Sequence, residues 1–457
     1  MSSVVEKIAR LFGGREACEA EARKCGLVVR ESKLGGMEFL LVFTHGFCNV
    51  PDATLDQMSQ FLATACGVKI NPQSVDERIR GPAVEFMRKQ LETALAISAN
   101  MKHIPAGIAE KFVHIYIIDS TNFKLHKSLA PAFKGSSGAA SASLMRIQFV
   151  MDFRTGIMRI AIGDVRMADT TTLADLVSTE ALPSDGRTLH VADLGYFRMK
   201  TFEAIASHGA FVLSKVMLGT KFVSPHGLPV SLPNILRDKP HSFDIPIAVG
   251  NHAFRLVGRR LPEEQTNRNI QRAREKRRKD GRVGELTDEC KLLLCYLVFI
   301  TNLPMDEYPV ESLLVIYKAR WQIELVFKTW KSLLGIHKIR SAKEARVRCE
   351  VYGKLIMAVI ITAMSREAFL LFSPKKSCRM AQLSIHKAIN RVKSFVLAWS
   401  LAIPGGEPMQ KKTLLDFMRD IRDHALKSYC KKKPSTEMMM DDPTLLFSSG
   451  KYAQIMA

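Results

Sequence analysis

The succession of apolar runs between residues 113 and 216 constrains the fold of this chain more than any other feature. "VHIYIID" is a buried-type strand that ends in Asp119, Ser120 and Thr121. "SLMRIQFVMDF" and "GIMRIAIGD" predict two further strands, joined by the turn Arg154-Thr155-Gly156. "TTTLADLVSTE" predicts a capped helix, and "TLHVADLGY" a fourth strand with Asp193 near its end. "FRMKTFEAIASHG" predicts a helix stopped by Gly209, and "AFVLSKV" a fifth strand. Three strands, helix, strand, helix, strand is an α/β order. An Asp after a strand is ordinarily a cap or turn residue. Two of them at matched strand ends weaken that reading.

The second organising stretch is "YKARWQIELVFKTWK", residues 317–331. No Gly or Pro interrupts it, and Leu, Lys, Arg, Glu and Gln favour a helix, so one continuous helix is expected. At about 100° per residue, Tyr317, Arg320, Glu324 and Lys331 share a narrow stripe, with Lys328 beside them. Ile323, Val326, Phe327, Trp330, Leu333 and Leu334 cover the opposite side. The spacing predicts a buried back and a front carrying one carboxylate among cations and a phenol. Spacing alone leaves open a solvated face with an ordinary Arg320–Glu324 helix pair.

Tyr, two residues, Arg, three, Glu, six, Lys resembles the signature of the bacterial DDE transposases of the insertion-sequence-four family. The flanking "RWQIE" and "FK" are similar as well, as are "FITNLP", "SLAPAFKGSSG" and "RLVGRRL" elsewhere in the chain. The resemblance implies a ribonuclease-H-like core, in which the ends of the first and fourth strands lie side by side and bring Asp119 next to Asp193. It implies that Asp119, Asp193 and Glu324 are catalytic and hold metal ions. It also implies that Tyr317, Arg320 and Lys331 contact the transposon-end strand, including a base swung out of the stack. Arg146 stands where the family is expected to carry Lys, with the charge kept.

The chemistry of the residues agrees with that implication. Three carboxylates from separate elements offer hard oxygen ligands suited to Mg2+ or Mn2+. Two such ions about 3.5–4 Å apart activate an attacking oxygen and stabilise the leaving one in phosphoryl transfer. Lys and Arg exceed Asp and Glu by 21 charges, which points to a polyanionic partner, with nucleic acid first and an anionic membrane second. A run of eight Lys/Arg against two acids over residues 268–282 includes Arg274, Lys276, Arg277 and Arg278. Such a run is either a solvated helical face or a phosphate-binding patch.

The remaining chain sorts by pattern into flanking regions. Residues 1–105 read as helical and carry "DATLDQMSQFLATACG" and "PQSVDERIR", a pair compatible with a DNA-binding helix-turn-helix or with a structural hairpin. Residues 106–220 form the first part of the core, and 221–305 a β-rich insertion holding the basic block. Within the latter, "LLLCYLVFI" at 292–300 is too short for a membrane span and reads as a core strand. Residues 306–370 complete the core, and 371–457 are helical, with Met438 to Met440 and "DDPTLLFSSG" expected to be poorly structured.

Nine scattered cysteines without paired spacing, and no signal-type apolar leader, suggest reduced thiols in a cytosolic protein, and the resemblance implies a bacterial cytoplasmic, nucleoid-associated one. No G-x4-G-K-[ST] loop is present, so no nucleotide cofactor is expected. The expectation is a metal-dependent cut-and-paste transposase on double-stranded DNA, acting as a homodimer on paired ends. The alternatives are a structure-selective nuclease and a non-catalytic DNA-binding descendant.

Overall fold

The computed structural model describes residues 3–98, 107–136, 142–178, 182, 184–217, 219–238, 241–281, 284–372, 385–425 and 436–446. Five strands carry the first half of a sheet: β1 (His114–Lys124), β2 (Leu144–Asp152), β3 (Met158–Gly163), β4 (Thr188–Ala192) and β5 (Phe211–Lys215). Five more extend it: β6 (Phe222–Val223), β7 (Pro229–Val230), β8 (Ser242–Val249), β9 (His252–Arg260) and β10 (Tyr296–Thr301). Their order is β3-β2-β1-β4-β5-β10-β9-β8-β6-β7. β1, β4 and β5 run parallel, and every other pairing is antiparallel. The expected order of elements from 113 to 216 is the observed one, and the fold is mixed α/β.

Period-two alternation explains why the parallel centre is buried on both faces. Ile115 and Ile117 of β1 join one core cluster, while Tyr116 and Ile118 join the other. All five residues of β4 are buried. The β2–β3 hairpin turns where Gly156 adopts φ 76°, a conformation that disfavours other residues, and the Asp152 N–H donates to the Ile157 carbonyl across it. The strands of 222–301 do not make a separate sheet. β10 pairs with β5, Phe299 opposite Lys215, and so continues the first half directly.

Helices cover the first of these faces. The helix Leu55–Ala65 begins with a Thr54/Gln57 capping box, and Gly67 follows it at φ 69°. Asn71 caps the next helix, Pro72–Arg78, whose Asp76 pairs with Lys343. The 29-residue helix Glu344–Phe372 lies against the helix Gly81–Ser98 and the turn of chain at Val42–Gly46. A Cβ at Gly353 would stand 2.1 Å from the Phe43 carbonyl oxygen, so only glycine allows this approach. One apolar cluster therefore includes Phe12, Phe86, Trp399 and Phe417 together with Ile117 and Phe149 of the sheet.

Three expectations are corrected. The run 292–300 is not one strand: Leu292, Leu293 and Leu294 end the helix Asp288–Leu294, and β10 starts at Tyr296. The Thr287 hydroxyl accepts from the Cys290 N–H and starts that helix, with Asp288 and Glu289 favouring its first turn. Met438 to Met440 lie in the helix Thr436–Asp441, with Met439 and Met440 buried, and Pro443–Leu446 adds a further turn. The apolar side chains find cover on the helix Val310–Lys318, and the remainder of the tail lies outside the described residues.

The third correction concerns 317–331. The stretch spans two helices, Val310–Lys318 and Trp321–Ser332, meeting at Ala319 and Arg320. There the Ala319, Arg320, Gln322 and Ile323 N–H groups donate to carbonyls three residues back, tightening the turn without a Gly or Pro. No helix among the described residues is long and apolar enough to cross a membrane.

Candidate active site

Unequal strand lengths put the two aspartates together. The last β1–β4 pair is Ile118 with Ala192, so Asp119 and Asp193 are the next residues on adjacent parallel chains. β1 does not end there, as the sequence suggested; it runs on to Lys124, paired only with β2. Asp193 leaves β4 and opens the turn Leu194–Tyr196.

The helix Trp321–Ser332 brings the third acid. Its back is buried as expected: Ile323, Val326, Phe327 and Trp330 all face the core. Trp330 packs on Phe149 with ring centres 4.9 Å apart, and Phe149 is the β2 residue opposite Asp119. The apolar contact thus sets how far Glu324 stands from β1.

The front is not a solvated face. Arg320 is only 8% exposed and lies among all three acids. It donates from Nη2 to Glu324, while Nη1 stands 3.8 Å from Asp119 Oδ2 and Nε 3.8 Å from Asp193 Oδ1. Nε and Nη1 make no hydrogen bond, so charge rather than directed bonding holds the guanidinium to the two aspartates. Tyr317, 7% exposed, donates its hydroxyl to Asp193 Oδ1 at 3.2 Å. Its ring packs beside Phe299, under Lys215 Nζ at 5.3 Å. Lys331 Nζ donates to the Asn122 carbonyl, 3.3 Å away on the part of β1 that runs beyond β4 and pairs with β2 alone.

Burial raises the Asp119 carboxyl to about 6. The Ser120 N–H, donating at 2.7 Å, acts against that, and the negative charges of Asp193 and Glu324 add to it. Burial likewise pushes the Tyr317 phenol up and the Lys331 ammonium down. Three ionised carboxylates and one guanidinium leave two net negative charges in a partly enclosed site, and the donors are the oxygens that hard divalent ions prefer. The donor set therefore suits Mg2+ or Mn2+. In the present arrangement, no three acidic, histidine or cysteine side chains among the described residues close on a common point to hold an ion. Arg320 lies between them.

A group that periodicity does not reveal holds the Asp193 turn. Tyr196, 1% exposed, donates to Gln148 Oε1, and Gln148 Nε2 donates to Asp169 Oδ1 at 2.6 Å. A Cβ on Gly195 would lie 3.2 Å from Asp169 Oδ2. The only sequence signal was the Gly-Tyr directly after the Leu that follows Asp193. Arg146 serves this group too, donating to the Met167 carbonyl at 2.9 Å and standing 3.6 Å from Asp169.

The basic block lies elsewhere. It forms the helix Glu263–Lys279 between β9 and β10, with none of its residues buried. Arg268 pairs with Glu264, and Arg274 Nη2 stands 3.3 Å from Glu285. Lys276 and Arg278 are exposed, Arg277 is half-buried, and Arg282 lies outside the described residues. The structure thus brings together Asp119, Asp193, Glu324, Tyr317 and Arg320, sets Lys331 further along β1 against Asn122, and leaves Arg274, Lys276, Arg277 and Arg278 on a separate element.

Comparison with known proteins matches residues 112–360 to the family model described as the transposase DDE domain. The chain is 27% identical over 434 residues to the transposase for insertion sequence element IS231B of Bacillus thuringiensis subsp. berliner, covering 90% of this chain and 89% of that protein. It is 24% identical over 364 residues to the transposase for IS1151 of Clostridium perfringens, covering 74% and 76%. A putative transposase, InsL for IS186A of Escherichia coli K12, is 26% identical over 186 residues, 38% of this chain and 50% of that one.

Proposed function

Because the chain belongs to the DDE transposases, enzymes of DNA transposition, we propose that it is a cut-and-paste enzyme of the insertion-sequence-four group, binding the terminal inverted repeats of its element. The observation that carries this reading is the convergence of Asp119, Asp193 and Glu324 around Arg320 where β1 outruns β4. The strand order β3-β2-β1-β4-β5 supports a ribonuclease-H-like core.

In this reading Asp119, Asp193 and Glu324 would hold two Mg2+ or Mn2+ ions, which supply a polarised water and charge to stabilise the leaving 3′-oxygen. Tyr317 orients Asp193 through its hydroxyl, and Trp330 keeps Glu324 in reach of β1. Lys331 and Arg320 meet phosphates of the transposon end, where a guanidinium offers two parallel donors. Attack by water frees a 3′-hydroxyl at the transposon end; that hydroxyl attacks the opposite strand, closing a hairpin as the flanking DNA leaves, a second water reopens the hairpin, and the freed 3′-hydroxyl attacks target DNA, displacing one target 3′-oxygen. Residues 1–105 would serve end recognition, the basic helix of 221–305 would contact phosphate, and 371–457 would serve either pairing of two protomers or binding of the ends. The compartment is then the bacterial cytoplasm, at the nucleoid.

The test is a labelled inverted-repeat duplex with wild type and with Asp119→Asn, Asp193→Asn and Glu324→Gln, each keeping shape while removing charge. Wild type in Mg2+ yields nicked and then hairpin products; each variant shifts the duplex and yields none. A variant that cleaves at near wild-type rate removes its residue from the triad. Nicking without hairpin or joining would make the protein a structure-selective nuclease.

A further inference from the structure

Arg320 is placed as a competitor for the site it belongs to. It is buried, its charge is shared among three carboxylates, and two of its three nitrogens lack a directed bond. A guanidinium so held keeps like charges from repelling, and an entering cation has to overcome it. The partners available to it are unequal. Two of its contacts are 3.8 Å ion pairs, weaker than the charge-assisted, paired hydrogen bonds it can make to a phosphate. Arg320 also lies at the junction of two helices, where the backbone turns by three-residue bonds rather than by a regular helical ladder.

We propose that Arg320 couples metal loading to DNA binding: in the free protein its guanidinium neutralises the three acids and holds metal affinity down, and a DNA phosphate draws it off and opens the site to divalent cations. No bond is made or broken in this exchange; one cation leaves the carboxylates and another takes its place. Linkage makes the coupling reciprocal, so metal must raise DNA affinity by the factor by which DNA raises metal affinity. A nuclease domain gated in this way stays unloaded until a phosphate backbone is seated beside it. The inference rests on the assignment of the three acids as metal ligands, and the experiment separates the two.

Mn2+ binding to the full chain is titrated by electron paramagnetic resonance, with and without a duplex carrying the terminal repeat. No turnover is required. Wild type is expected to bind Mn2+ weakly alone and at least about tenfold more tightly with the duplex, within the range usual for coupled sites. Arg320→Ala is expected to bind Mn2+ tightly without DNA, and the duplex to add little. Arg320→Lys keeps the charge and the fold while losing the fork, and is expected to bind as weakly as wild type when free. If Arg320→Ala and wild type bind Mn2+ alike without DNA, and Glu324→Gln abolishes that binding, the coupling is wrong and the metal assignment stands. If binding to Arg320→Ala survives Asp119→Asn and Glu324→Gln, the metal assignment itself fails. Arg320→Ala that does not fold leaves the Arg320→Lys comparison and the duplex effect on wild type, whose absence overturns the coupling.

Discussion

Two cationic helices of this protein differ in what their charges face. The helix Glu263–Lys279 carries the densest run of Lys and Arg in the described chain, yet buries none of its residues and pairs Arg268 and Arg274 with nearby acids at the surface. The helix Trp321–Ser332, with Arg320 at its head, has fewer charges but is anchored by Trp330 on Phe149 and turns its polar side onto the place where β1 outruns β4. Charge density in a sequence marks where phosphate can be attracted. A site needs charge of both signs held at fixed separation by a packed back. The first helix has the former property and the second has the latter.

The largest expected effect tests the packed back. Trp330→Ala removes a side chain 1% exposed and is expected to destabilise the fold by about 3–5 kcal/mol in urea unfolding. Arg278→Ala on the exposed helix is expected to change stability by less than about 0.5 kcal/mol. Equal losses would erase the distinction.

A smaller effect lies in the pH dependence of the charged front. Asp119 titrates near 6 in the folded protein, above its ordinary value, so the native state holds a proton that the unfolded chain releases. Wild-type stability in the absence of metal should therefore fall as pH rises from about 4 to 6, by about 1–3 kcal/mol, whereas Asp119→Asn should lack that fall. Parallel curves for the two proteins would mean that the carboxyl is less enclosed than its surroundings indicate.

The smallest effect on the fold, though not on binding, belongs to the exposed helix. Neutralising Arg274, Lys276, Arg277 and Arg278 should leave unfolding nearly unchanged. It should shallow the slope of log K against log salt for non-specific DNA by about 2–4. An unchanged slope would identify the helix as a solvated face.

The sequence made the first half of the sheet legible because alternation and run length are properties of single strands. Asp119 and Asp193 could be named from it as strand-end residues. That β1 outruns β4 could not be, since pairing length depends on both partners. The apolar back from Ile323 to Trp330 followed from helical spacing. The break at Ala319 and Arg320 did not, because no residue there disfavours a helix and the turn tightens only in its tertiary setting. A helical wheel gave the stripe of Arg320 and Glu324 but not what lies across from it, so a buried, triply shared guanidinium was read as an outward cation. Leu292 to Leu294 were read as strand because a short apolar run fits either state, and the deciding cap at Thr287 lies outside the run.

The contact of Gly353 with the Phe43 carbonyl has a consequence for how such a protein can change over generations. The first hundred residues share one apolar core with the helix that follows the signature. A unit joined by a tether can be exchanged as a cassette. One that forms the other half of a core cannot, since its removal strands a 29-residue apolar helix in water. Change in these N-terminal helices must then accumulate through surface side chains, one substitution at a time, while the backbone that carries them stays fixed to the DDE domain.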